Sequence, residues 1–349
     1  MTILTARTKK GRAVFAATAA AFALVALSAC TSGMETGGGT STDAAAAPSD
    51  GPLTIAFLQK QGDQQYFIDE ANGAKEAAEA AGDVTINVVD LGTDSNKAIS
   101  EVEAAIAQQV DGIIIVVPDQ QIGPQVIQLA EEAGIPIMAA DDTIEDAAGN
   151  AAPFSGFDGT SMGEKVGAEA ARLYQEAGWT AENTRILSAY KEDLSVCQQR
   201  VEGAASAFAE AIPDGPEIID VGTDNSATDA QDKAGAIITA NAGVTNWVVW
   251  GCNDEGETGV VTALQNSGVS ADNIIGVGLG AYLTCKDWKA GQETGNKAAL
   301  FISGIEVGKA AATSMIDLLR NGTALPPQSI ANTEIVDASN WEEEGVVCT

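Results

Sequence analysis

The residues with the most chemical capacity in this chain stand just beyond the ends of short apolar runs. Lys60, Gln64, Tyr66 and Phe67 follow the first such run in the segment LTIAFLQKQGDQQYF. A lysine and an amide can hydrogen-bond, and two aromatic rings offer flat apolar faces. That mixture suits a polyhydroxylated ligand, whose C–H face stacks while its hydroxyls donate and accept. Val116 in VVPD, Asp141 and Asp142 in AADD, Asn253 in WGCND and Gly280 in GVGLG each stand at a corresponding place, and Phe157 joins the candidate set. A carboxylate accepts charge-assisted hydrogen bonds from hydroxyls, which are stronger than neutral ones. Asp142 or Asn253 could instead cap a helix. As neighbours at a strand end, Asp141 and Asp142 are expected to point to opposite sides.

These residue types favour holding a molecule over transforming it. The chain contains no histidine, which removes a Ser-His-Asp triad, proton transfer by imidazole and histidine metal ligation. Glycoside hydrolysis needs two carboxyls held across one bond, which a diverging pair does not supply. The stretch GVGLG is late in the chain and lacks the full spacing of a dinucleotide fingerprint. No enzyme activity, cofactor or metal is expected.

Such residues converge only if the strand ends lie side by side, and the alternation of elements predicts that arrangement. Apolar strands at 54–58, 84–89, 112–117 and 135–140 alternate with helical patterns at 68–79, 95–109 and 123–133. A second series places helices at 163–177, 198–211, 227–240 and 255–267 between strands at 184–189, 217–221, 247–250 and 274–278. Short apolar strands joined through helices form parallel sheets covered on both faces. Ligands of such sheets settle at the carboxyl ends of the strands. The fold class is therefore α/β, with two doubly wound parallel-sheet (Rossmann-like) lobes. A last apolar stretch at 298–302, a helix at 303–320, a proline-containing turn and a strand at 333–336 remain after both lobes are nearly complete. That tail is expected to cross back to the first lobe and return, leaving a cleft between hinged halves.

At 349 residues and 45% hydrophobic content, the chain can fill two cores. Its formal charge of −31 repels phosphate backbones and anionic headgroups, so nucleic acid is excluded as a partner. Arg7, Lys9, Lys10 and Arg12, then an apolar run to Leu27 and the sequence LSAC, predict a lipoprotein signal over 1–29 with Cys30 as the lipidated residue. Residues 30–51 read as a flexible Gly/Ser/Thr/Ala tether, holding the body at the outer face of the cell membrane. Cys197, Cys252, Cys285 and Cys348 remain, an even number in an oxidising compartment. They admit three pairings and lack the close spacing of a zinc site.

The segments LTIAFLQKQGDQQYF, GIIIVVPD, IPIMAADD, WGCND and IIGVGLG, in this order and at these separations, resemble the type I periplasmic sugar-binding proteins of ABC importers, the arabinose-binding ones in particular. The similarity extends over residues 53–341. It implies a monomer of two lobes joined by a three-segment hinge, which closes on one monosaccharide and presents it to permease subunits. The N-terminal lobe would comprise 52–156 plus 298–332, and the C-terminal lobe 157–297 plus 333–349. A sugar-sensing component that passes the closed state to a signalling partner is the alternative. By the same resemblance Lys60, Gln64, Tyr66, Phe67, Asp142 and Asn253 would line the sugar.

Three positions depart from that pattern. An amide, Gln64, replaces an acidic residue in the first loop; Gln198, with Arg200 two places on, stands where an arginine is usual; and Gly280 replaces an asparagine. Each hydrogen bond lost to a desolvated ligand costs about 1–3 kcal/mol. The expected ligand thus widens from an arabinose-like pentose to a related hexose or sugar alcohol. On this alignment a Cys197–Cys252 bridge would stiffen the wall carrying Gln198 and Asn253, and a Cys285–Cys348 bridge would tie down the last segment.

Overall fold

The computed structural model describes residues 50–348, so the expected leader, Cys30 and most of the tether lie outside the described part. The first lobe opens with β1 (Leu53–Lys60), α1 (Gln65–Ala81), β2 (Val84–Gly92), α2 (Ser95–Ala107), β3 (Gly112–Ile115), α3 (Gly123–Ala133), β4 (Ile137–Asp141) and the short β5 (Phe154–Gly156). The chain then builds α4 (Gly159–Glu176), β6 (Thr184–Tyr190), α5 (Ser195–Ala211), β7 (Glu217–Gly222), α6 (Ala227–Ala240), β8 (Asn246–Gly251), α7 (Asp254–Asn266) and β9 (Ile274–Gly280). It ends with α8 (Cys285–Lys289), β10 (Asn296–Ile302), α9 (Gly304–Asn321), β11 (Ser329–Ile330) and β12 (Thr333–Asp337).

Two six-stranded sheets result, in the orders β11-β5-β4-β3-β1-β2 and β12-β10-β9-β8-β6-β7. Every pairing is parallel except the antiparallel β10–β12 edge. The central strands β3, β4, β8 and β9 are buried along their whole length, as a sheet with helices on both faces requires. The edge strands β2 and β7 carry exposed positions instead.

The return crossing falls later than the sequence suggested. Residues 298–302 were expected in the first lobe, yet β10 pairs with both β9 and β12 in the second sheet. An apolar run buried on both faces takes an interior place in a sheet, and here the second sheet offers one. The chain therefore crosses after Ile302, and α9 goes to the first lobe, where it packs on α1.

Each lobe rests on one close helix pair, α1 with α9 and α4 with α5. A Cβ on Gly308 would stand 1.8 Å from the Glu70 carbonyl oxygen, and one on Gly163 would stand 1.9 Å from that of Arg200. Only glycine permits backbones this near. Both crossings thus fix the helix that carries a polar residue toward the space between the lobes.

Candidate ligand-binding cleft

A cleft of about 490 Å³ opens between the carboxyl ends of the two sheets. In the first lobe, β1 ends on Lys60 and the turn through Gln61, at φ 45°, leads into α1, whose first turn presents Tyr66 and Phe67. The Lys60 Nζ lies 3.0 Å from Asp142 Oδ2, and 5.8 Å from the centre of the Phe67 ring. Tyr66 donates its hydroxyl to Asp141 Oδ1 at 3.0 Å.

Asp141 and Asp142 both line this cleft, contrary to the expected divergence. Asp141 takes a left-handed backbone at φ 61°, so the strand's alternation ends there and the second carboxylate turns to the same side. A non-glycine residue in that region carries strain, and such strain gathers at ligand sites.

The electrostatics follow from crowding acids beside one lysine. Burial, then the Asp142 charge, pushes Asp141 up to about 6, against the opposing pull of Arg200, Lys60 and the Tyr66 hydroxyl. One turn along α1 from Tyr66, Glu70 is fully buried with neither carboxyl oxygen bonded. Its pKa is raised far above the usual carboxylate range by burial first and by Asp141 and Asp142 next, with Lys60 opposing. Burial thus acts against its charged form. Asp142 Oδ1 is likewise buried and without a protein partner.

The second lobe contributes one dense stretch, Cys252 to Glu255. Cys252 is bridged to Cys197 on α5, with Cα atoms 4.9 Å apart, and its carbonyl accepts from Arg200 Nη1 at 3.1 Å. Asn253 caps α7: its Oδ1 accepts from Gly256 N at 3.0 Å and its Nδ2 donates to the Asn225 carbonyl at 2.9 Å. The capping role and a place on the cleft wall are therefore compatible. Asp254, fully buried, accepts from the amides of Leu283 and Thr284 and from the Thr284 hydroxyl, which fixes the loop that carries Tyr282. Tyr282 donates to Glu255 Oε2 at 2.7 Å, and Gln64 of the first lobe donates to Glu255 Oε1 at 2.6 Å and lies 3.2 Å from the Tyr282 hydroxyl. Burial raises the Glu255 pKa, and the Gln64 and Tyr282 hydrogen bonds oppose that rise.

Lys60, Gln64, Tyr66, Phe67, Asp141, Asp142, Arg200 and Asn253 thus meet in one cleft. The other expected positions do not reach it. Val116 is wholly buried in the core behind it, and Phe157 sits behind Tyr66, with ring centres 6.4 Å apart. Gln198 is exposed and donates to the Glu192 carbonyl, because α5 starts at Ser195 and turns position 200 inward in its stead. Gly280 lies under Tyr282 and borders a small separate cavity. Sequence reasoning missed Glu255, Tyr282 and Asn225. The signal available for Glu255 was its place directly after the Asn253–Asp254 pair, in the first turn of a helix that follows a strand. Among the described residues no cluster of acids, cysteines or histidines could hold a metal, and no helix is long and apolar enough to cross a membrane.

Two α/β lobes facing each other across a polar cleft define the class, and the chain belongs to the periplasmic binding protein domain family, whose model matches residues 55–323. Among characterised relatives it is similar to the "ABC transporter L-arabinose-binding periplasmic protein" of Azospirillum brasilense, at 26% identity over 85% of this chain and 90% of that one. The L-arabinose-binding periplasmic protein of Escherichia coli is 25% identical over 84% and 90%. In fold it matches a periplasmic solute-binding protein of Actinobacillus succinogenes with bound D-allose, at TM-score 0.72 and 24% identity, covering 83% of this chain and 99% of the other. A myo-inositol complex from Bacillus halodurans matches at TM-score 0.72 and 20% identity, covering 85% and 99%.

Proposed function

We propose that this protein is the extracytoplasmic receptor of an ABC sugar importer, held to the membrane through lipid on Cys30, and that it binds a monosaccharide and delivers it unaltered to permease subunits. The observation that supports this reading is the convergence, from opposite lobes, of Lys60, Asp141 and Asp142 with Arg200 and Asn253 beside the rings of Tyr66 and Phe67. Hydrogen-bonding capacity remains there after the internal bonds are made: Asp142 Oδ1 and Arg200 Nε are buried without protein partners. A hydroxylated ring supplies both the donors and the acceptors these atoms need. Because the lining comes from both lobes, a ligand held by both favours the closed form by its difference in affinity for the two.

Thermal melting against a panel of pentoses, hexoses and polyols tests the proposal. A ligand at a hundred times its Kd should add about 2.7 kcal/mol. Asp142→Asn and Asn253→Ala should each abolish that gain, measured against the variant's own melting point without ligand. A panel in which nothing raises the melting point of the unmodified protein refutes the reading.

A further inference from the structure

Behind the main cleft, toward the hinge, lies a second cavity of about 30 Å³. Tyr66, Tyr282 and Ile302 border both spaces. Tyr282 therefore stands in the wall between them, with Tyr66 and Ile302. Its ring occupies the place that a side chain on residue 280 would take: a Cβ there would meet Tyr282 Cε1 at 2.3 Å, so glycine at 280 and tyrosine at 282 belong together.

That wall is held rigidly and from both lobes. Asp254 fixes the amides just after it, Cys285 is bridged to Cys348 close by, and the hydroxyl is held by Glu255 while Gln64 reaches over from the first lobe. The three polar side chains satisfy one another, so little is left at this end to draw a ligand hydroxyl. The other end of the cleft keeps its unmet donors and acceptors. We propose that Tyr282, clamped by Glu255 and Gln64, is a specificity-determining partition that sets how far a bound sugar can extend toward the hinge. This rests on the sugar-binding reading and adds to it a length limit: the wall discriminates a pentopyranose from the hexopyranose that carries one further hydroxymethyl group.

Calorimetric titration with matched pairs tests it: L-arabinose with D-galactose, D-xylose with D-glucose, and D-ribose with D-allose. One methylene-sized group in a pocket is worth roughly 10–200-fold in discrimination. Tyr282→Ala, which joins the two cavities, should move the hexose-to-pentose affinity ratio at least about tenfold toward the hexose. Tyr282→Phe keeps the wall but not its hydroxyl, and should leave the ratio within a pair unchanged. Tyr282→Leu replaces the alanine variant if that one melts early. A ratio that stays put or moves toward the pentose in the ring-deleted variant overturns the partition. If no sugar binds the unmodified protein, the sugar reading fails and the partition with it, an outcome distinct from a ratio that stays put.

Discussion

The two walls of the cleft hold their polar groups by different means. The first-lobe wall is electrostatic: a buried ion pair, Lys60 with Asp142, lies with Asp141 and the fully buried Glu70, with no disulfide among its described residues. The second-lobe wall is braced: Cys197–Cys252 ties the Arg200 helix to the Asn253 strand end, and Cys285–Cys348 ties the segment after Tyr282 to the tail. A buried pair is worth little net when intact but is costly to break singly, whereas a cross-link acts largely by restricting the unfolded chain. The first wall should therefore answer to charge and pH, and the second to reduction.

The largest expected effect comes from breaking the ion pair. Lys60→Met leaves Asp142 buried without its cation and should cost about 3–5 kcal/mol in urea unfolding. Adding Asp142→Leu should recover most of that stability and none of the ligand binding. If the single variant is as stable as the parent, the first wall is not held by charge. Next, Cys197→Ser with Cys252→Ser should remove about 2–4 kcal/mol, with faster hydrogen exchange in α5 and at the end of β8 and little change at β1 and β4.

The glycine crossings separate the lobes by a smaller amount. Gly308→Ala and Gly163→Ala each force a helix pair apart and should cost about 1–3 kcal/mol. The first should disturb Glu70 and Tyr66, the second Arg200, as read from which lobe loses amide protection. The smallest effect is the titration of Asp141, whose midpoint lies at about 6. Folding raises this pKa, so the folded state holds the proton more tightly than the unfolded chain. Its contribution to stability is present at low pH and is lost as pH rises from an ordinary carboxyl value near 4 to about 6. Ligand binding through the ionised carboxylate runs the opposite way and should weaken as pH falls through 6. Removing the opposing cation with Arg200→Gln should raise the midpoint by about one unit, roughly 1.4 kcal/mol, in a carbon-detected NMR titration. An unmoved midpoint would show that Arg200 does not act across the cleft.

Much of this was legible in the chain. Apolar runs such as GIII and NWVVWG mark buried parallel strands without ambiguity, and the rule that ligands sit at carboxyl strand ends located Lys60, Tyr66, Asp142 and Asn253. What escaped depends on geometry that local pattern does not carry. The strands β5 and β11 have three and two residues and exist only because a neighbouring edge accepts them. Asp141's left-handed turn overrides the period-two rule. The choice between Gln198 and Arg200 hung on where α5 begins, three residues before the expected start. Tyr282 reads as an ordinary loop aromatic until its ring is seen to fill the space above Gly280.

The placement of α9 has a consequence for the order in which the molecule can be made. The face of α1 around Gly73 finds its cover only when residues 304–321, with Gly304 and Gly308, have left the ribosome. A fragment stopped at Ile302 would thus lack α9 and β11 of the first lobe and also the edge strand β12 of the second sheet, so both halves wait for the last part of the chain.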